Sequence, residues 1–351
     1  MSEVKKREYW IDNVKVVACI FVVLRHFFQS LTKAGVLPRT DVYVWLDIIP
    51  WYCAVQVFFF CSGYLYQKRS RIETKEAWFY GVVNKFIAFG IPYFVFSTLT
   101  WLLKTIFADS VNREVGSLTD TLFVSPIPPY WYLYTAFFMF FFTITMSNKK
   151  KMLIITIVAV VLKFVSFFFN WFGIYAIRKT FAEEIWFVLG MVLAYYIPKE
   201  KTLEVKKKGV WLLAGLAVTA VFLGLSWYGC TKDIQEFNLP WVFFMAVLSS
   251  TAMVLIAIAL SRTEKQSKVF AFLAKYLMPI FLMHTLTAAP VRVLLLKLGV
   301  TSPVVHIVLG LTISLCAPIL AAFIMSKVKF LDALIYPTKY IKIKPKKKEA
   351  K

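Results

Sequence analysis

The residues best suited to chemistry stand in the first apolar stretch, WIDNVKVVACIFVVLRHFFQSL, at residues 10–31. It has the length of a membrane helix, yet it carries Asp12, Lys15, Arg25 and His26. An ionisable side chain at the centre of a span costs about 2.5–3.5 kcal/mol on insertion scales, so four in one helix need a reason. Lys15 and His26 are eleven positions apart, roughly 16 Å along a helix axis. That spacing puts Lys15 near one membrane face and His26 well inside. A neutral imidazole can take a proton near neutral pH, which is what a hydroxyl needs in order to attack an acyl carbon. The plainer alternative is a buried histidine bonded to a neighbouring helix for packing. Asp12 either neutralises a nearby cation or caps the helix start.

A second group follows the end of the next apolar stretch, VFFFCSGYLYQKRSR. Lys68, Arg69, Arg71 and, further on, Lys85 collect at one membrane edge, with Ser62 and Gly63 just above them. Cations gathered there can hold the phosphates of a nucleotide-like donor such as coenzyme A. Gly63 lets another backbone approach closely. The alternative is ordinary topological charge. His284, in KYLMPIFLMHTLTAAPVR, is predicted at about the same depth as His26 on a helix of the same direction, so the two rings can face one cavity. His306, after Pro303, reads as an interface-facing residue. Arg25 and Lys163 lie deep in predicted spans and need partners, for which Glu183 and Glu184 are the candidates.

These residues must be positioned by membrane helices. The 351 residues are 60% hydrophobic, with a mean hydropathy of +0.68. Apolar runs follow one another from end to end, which is the helical membrane signature rather than that of a soluble domain or a barrel. Spans are predicted at about 14–31, 42–66, 78–107, 130–146, 152–169, 180–197, 209–228, 240–260, 269–296 and 303–326. Pro92 divides the third segment, which predicts an interfacial piece through about Phe89 and then a true span. Trp131 and Tyr132 are predicted at the outer interface, where aromatic rings suit carbohydrate stacking.

The net charge of +22 invites a nucleic-acid reading, but the charge alternates with the loops. Most Lys and Arg fall on one side, including Lys149 to Lys151, Lys206 to Lys208 and the tail KIKPKKKEAK. By the positive-inside rule both termini are expected to be cytoplasmic, no nucleic-acid partner is expected, and the basic tail can touch anionic lipid headgroups. The five cysteines show neither a disulfide framework nor metal-ligand spacing. The fold class is therefore all-α: a polytopic integral membrane protein of about ten helices.

The ordered motifs resemble those of the acyltransferase 3 family of integral membrane acyltransferases. Lys15 and His26 fit the family's basic residue, ten residues, then His. Phe59, Phe60, Cys61, Ser62, Gly63 and Tyr64 resemble its Phe-Phe-x-x-Ser-Gly-Phe/Tyr segment. Lys68 and Arg71 occupy its Arg-x-x-Arg spacing. Lys85 to Pro92-Tyr93, the Trp131-Tyr132-Leu133 element and Phe281 to His284 complete the series. Lys15 and Lys68 stand where Arg is frequent; Lys keeps the charge but not the bidentate fork.

The resemblance implies a single membrane acyltransferase domain over 1–330 and a basic cytoplasmic tail over 331–351. It implies transfer of an acyl group, acetyl by default, from cytoplasmic acyl-CoA to an acceptor hydroxyl. That acceptor is a cell-surface glycan or a lipid-linked saccharide. His26, with Asp12 and His284, is then the catalytic group, acting as general base or acyl carrier. Lys15, Ser62, Lys68, Arg69, Arg71 and Lys85 are the acyl-CoA contacts, no metal is expected, and the setting is a bacterial plasma membrane. A transporter or flippase with His and cationic residues lining a substrate path, or a scaffold whose polar groups pair helices, are the rivals.

Overall fold

The computed structural model describes residues 7–70, 72, 74–108, 115–168, 175–198, 201, 203, 205–234, 239–261 and 266–343. The described elements are helical. Eight helical segments among them are long and apolar enough to cross a membrane, so the protein is an all-α polytopic membrane protein. Two predicted spans fall short of that standard. The helix Trp131–Phe142 has only 12 residues, and Tyr175–Tyr195 carries Arg178, Lys179, Glu183 and Glu184 in its first half.

The chain forms two compact units, residues 1–61 with 196–319, and 62–195 with 320–351. In the first unit, α1 (Tyr9–Lys33) is the centre. It packs against α2 (Asp41–Cys53), α10 (Leu239–Leu260), α11 (Lys268–Lys275) and α12 (Leu277–Lys297). The chain stops α1 with Gly35 at φ +71°, while the Val36 amide donates to the Leu31 carbonyl. This is the left-handed glycine stop with its long return bond. Val36 and Leu31 then join Phe27, Phe28 and Leu37 in one buried cluster. Gly310, on α13 (Pro303–Met325), meets the Phe27 ring where a side chain would stand.

Two predicted spans are jointed. Residues 41–69 break at Ala54 between α2 and α3 (Val55–Arg69). Beside the break, Ser249 Oγ donates to the Tyr52 carbonyl at 2.5 Å. Residues 268–297 break at Tyr276, and α12 restarts at Leu277. Pro279 thereby falls in a first turn, where its missing N–H costs nothing. Against the sequence reading, His306 is not interface-facing. It is 1% exposed, and its Nε2 lies 2.8 Å from the Val300 carbonyl.

In the second unit, α4 (Lys75–Lys85) runs into α5 (Ile91–Ile106) without leaving the helix. A π-turn at Phe86–Gly90 absorbs the register change that Pro92 demands, beside the predicted junction at Phe89. α6 (Trp131–Phe142), α7 (Lys149–Phe168) and α8 (Tyr175–Tyr195) follow, α8 packing against both others. α14 (Lys329–Ile335) packs on α5, and the chain beyond it returns to α4. There Asn84 Nδ2 donates to the Ile343 carbonyl at 2.8 Å, and the Ile343 amide donates back to Asn84 Oδ1 at 3.1 Å.

Candidate active site

Two imidazoles meet where α1 packs on α12. The ring centroids of His26 and His284 are 5.4 Å apart, inclined by 37°. His284 is 1% exposed. Its Nδ1 lies 2.9 Å from the Ile280 carbonyl and 3.0 Å from that of Phe281. Carbonyl oxygens only accept, so Nδ1 carries the proton and the neutral ring presents Nε2 as a lone pair. That Nε2 is buried without a hydrogen-bond partner among the described residues. The ring of His26 is half-buried, and no hydrogen bond to it occurs among the described residues. A base that keeps its ring free and borders a fixed acceptor is equipped to accept a proton from a hydroxyl.

The neighbouring residue holds the register. Arg25 Nη1 lies 2.8 Å from both Asp47 Oδ1 and the Asp47 carbonyl, and its guanidinium stands 4.7 Å from the Trp51 ring centroid. Successive helical residues project about 100° apart. Arg25 therefore grips α2 while His26 turns to α12, and Cys19 Sγ reaches the Leu277 carbonyl at 3.8 Å lower on α1. The partner of Arg25 is Asp47, not Glu183 or Glu184. Lys163 Nζ donates to the Ala182 carbonyl at 2.8 Å with the Glu183 carboxylate close enough to act on its charge, and Glu183 also sits 3.8 Å from Lys179. Glu184 is buried and accepts from Thr143 Oγ1 at 2.5 Å.

Lys15 is half-buried on the His26 face of α1. Asp12 pairs with Arg7 at 2.6 Å and caps nothing; Glu8 stands at the N-cap. Fourteen positions separate Asp12 from His26, roughly 21 Å of helix. The structure thus does not bring Asp12 to the imidazole pair, and its charge is spent on Arg7.

The predicted donor contacts other than Lys15 lie in the second unit, apart from Arg71, which is outside the described residues. Arg69 is exposed and Lys68 half-buried at the end of α3. This end is clasped to the chain after α6. Tyr66 donates to the Thr143 carbonyl at 2.7 Å, and Gln67 exchanges bonds of 2.9 and 2.8 Å with the Met146 backbone. Lys85 Nζ stands 3.9 Å from the Phe140 ring centroid, a cation–π contact that holds its charge against the aromatic wall. Gly63 packs on the Phe187 backbone, where a Cβ would overlap the carbonyl.

Ser62 Oγ lies 3.3 Å from Tyr132 Oη. The sequence places Ser62 at the inner edge and Tyr132 at the outer interface, and the two depths exclude one another. α6 is about 18 Å long, short of the roughly 30 Å hydrocarbon thickness, so it does not carry its start and end to opposite membrane surfaces. Tyr132 is buried and offers no stacking face.

Sequence reasoning missed Asp47 and Arg292. Asp47 is an acid inside an apolar run, which was the available signal. Arg292 is 6% exposed on α12, two turns beyond His284. Among the described residues no group of three or more His, Cys, Asp or Glu side chains is placed to hold a metal ion.

A helical membrane protein with a paired-imidazole site defines the class. The chain matches the acyltransferase 3 family model, described as an acyltransferase domain, over residues 8–323. It belongs to that family and is a membrane acyltransferase. No curated protein and no solved structure matches it.

Proposed function

We propose that this acyltransferase moves an acetyl group from cytoplasmic acetyl-CoA to a hydroxyl of a cell-surface glycan or lipid-linked saccharide, with His26 as general base. His26 takes the acceptor proton as the hydroxyl oxygen attacks the thioester carbonyl. Collapse of the tetrahedral adduct breaks the C–S bond, and the proton passes to the departing thiolate. His284 is a positioning residue: its Nε2 lone pair accepts from the imidazolium N–H that forms. The observation carrying this reading is the His26–His284 approach at 5.4 Å, with the His284 tautomer set by two carbonyls.

Lys68, Arg69, Arg71 and Lys85 are the proposed contacts to the donor's phosphates, with Lys15 and Ser62 assisting. The resemblance and the charge of these residues support that assignment. The setting proposed is a bacterial plasma membrane. The test is thioester turnover by the protein in nanodiscs, given radiolabelled acetyl-CoA with and without a crude surface-glycan fraction. Glycan-dependent release of free CoA, with label in the glycan, supports the reading. Label confined to water-soluble acetate, or vesicle uptake of a solute without turnover, overturns it.

A further inference from the structure

The first unit contains an open-sided cavity of about 700 Å³ lined by α1, α2, α9 (Lys208–Thr231), α10 and α11. Pockets for small ligands run to roughly 300–1,000 Å³, so the space suits one extended molecule. Its walls are apolar: Val17, Phe21, Ile49, Phe222 and Met253 are representative. It follows α1 from Tyr9 to Phe21, twelve residues or roughly 18 Å. Half of the roughly 30 Å hydrocarbon slab is about 15 Å, so the cavity is one leaflet deep.

One end is polar. Asn13 Nδ2 donates to Ser261 Oγ at 3.0 Å, and Gln266 Nε2 donates to Asn13 Oδ1 at 2.9 Å. Exposed Lys268 borders the cavity there, and exposed Lys208 donates to the Ser261 carbonyl at 2.9 Å. The described lining contains no acidic side chain. This end carries the start of α1 and of α9, which the positive-inside distribution makes cytoplasmic.

The cavity is separate from the imidazole pair. Val17 and His26 are nine residues apart, about two and a half turns, and so project from opposite sides of α1. An acyl chain in this space has the body of α1 between it and His26.

We infer that the cavity binds one acyl chain of an anionic glycerophospholipid of the inner leaflet, its phosphate at the Lys208–Lys268 rim and its chain along Val17 and Phe21. The inference does not depend on the catalytic reading. An apolar shaft one leaflet deep selects a hydrocarbon tail, and the cationic rim above it selects the headgroup charge. A juxtamembrane cation contributes about 1 kcal/mol toward an anionic lipid, so each rim lysine should matter about fivefold.

The full chain is tested in phosphatidylcholine nanodiscs doped with a tail-diazirine phosphatidylglycerol or a tail-diazirine phosphatidylcholine, and labelled peptides are mapped by mass spectrometry. The glycerol lipid should label α1 and α10 peptides about fivefold or more above the choline lipid. Lys268→Glu, on an exposed side chain, should remove that preference while leaving thermal unfolding unchanged. Ala257→Trp, filling the shaft, should abolish the label from both lipids. Equal labelling by both headgroups in the unaltered chain, or labelling untouched by Ala257→Trp, overturns the inference. So does displacement of the label by palmitoyl-CoA in preference to unlabelled phosphatidylglycerol.

Discussion

His284 holds its Nδ1 proton against the carbonyls of Ile280 and Phe281, 2.9 and 3.0 Å away, and thereby turns a bare Nε2 lone pair toward the bundle interior beside His26. A fixed tautomer next to a ring without hydrogen bonds is an asymmetric pair. In the proposed mechanism, proton transfer falls to His26 and support to His284.

The amide substitutions separate the two nitrogens of His284. Gln carries its amide where Nε2 stood, whereas Asn carries one where Nδ1 stood. His284→Gln should retain most turnover, while His284→Asn and His284→Ala should lose about tenfold to a hundredfold, within the range general-base support spans. The pH dependence of kcat should shift in His284→Asn and stay in His284→Gln. Equal losses in all three, with unchanged pH profiles, would reduce His284 to packing.

Breaking the Arg25–Asp47 pair leaves a charge in an apolar setting. Asp47→Ala should cost about 2 kcal/mol, somewhat less than stripping one partner from a fully buried pair, because both side chains are only partly buried. The double variant Arg25→Met with Asp47→Leu should recover most of it. Thermal unfolding in detergent across the cycle measures the coupling, and additive losses would contradict it.

Two glycines should differ sharply. At Gly63 a methyl meets the Phe187 backbone, which cannot move without shifting α8; at Gly310 it meets the Phe27 ring, which can turn. Gly63→Ala should cost about 3 kcal/mol and Gly310→Ala about 1 kcal/mol. Unfolding midpoints that rank the other way would contradict the close packing of α3 on α8.

The segment after α14 is held by Asp332, whose Oδ2 accepts from Lys339 Nζ and Tyr340 Oη, each at 2.7 Å. Burial pushes the Asp332 carboxyl up, but the bonds from Lys339 and Tyr340 and the Lys339 charge outweigh it, so the net direction is below 3.8. The bond to Asp332 raises Lys339 above 10.5. A depressed acid stabilises above its unfolded value and loses that as pH falls through the folded one; a raised base does so below its unfolded value and loses it as pH rises. The bond to Asp332 also raises the Tyr340 hydroxyl above 10.0, so the clasp should be at full strength between about pH 4 and 10. The protection of α14 amides against hydrogen exchange, taken relative to their intrinsic rates, should be high across that window, lower on either side of it, and low throughout in Asp332→Asn. Exchange unaffected by Asp332→Asn would discard the clasp.

The helices were legible because long apolar runs leave few alternatives. The joints at Ala54 and Tyr276 were not, since a break flanked by apolar residues leaves hydropathy unchanged. The His26–His284 meeting was legible from matching depths on two co-directional helices. The Arg25–Asp47 pair was not, because it depends on how α2 is rotated about its own axis, and hydropathy reports no rotation. The Ser62–Tyr132 contact was not legible because α6 has only 12 residues, while span counting assumes that every helix runs from surface to surface.

The central claim is that His26 moves the acceptor proton. Single-turnover acetyl transfer in nanodiscs, comparing the unaltered chain with His26→Ala at equal unfolding temperature, addresses it most directly. The account predicts a loss of about a hundredfold to ten-thousandfold in the transfer step, with acetyl-CoA binding retained. Transfer by His26→Ala within a few-fold of the unaltered chain would contradict it.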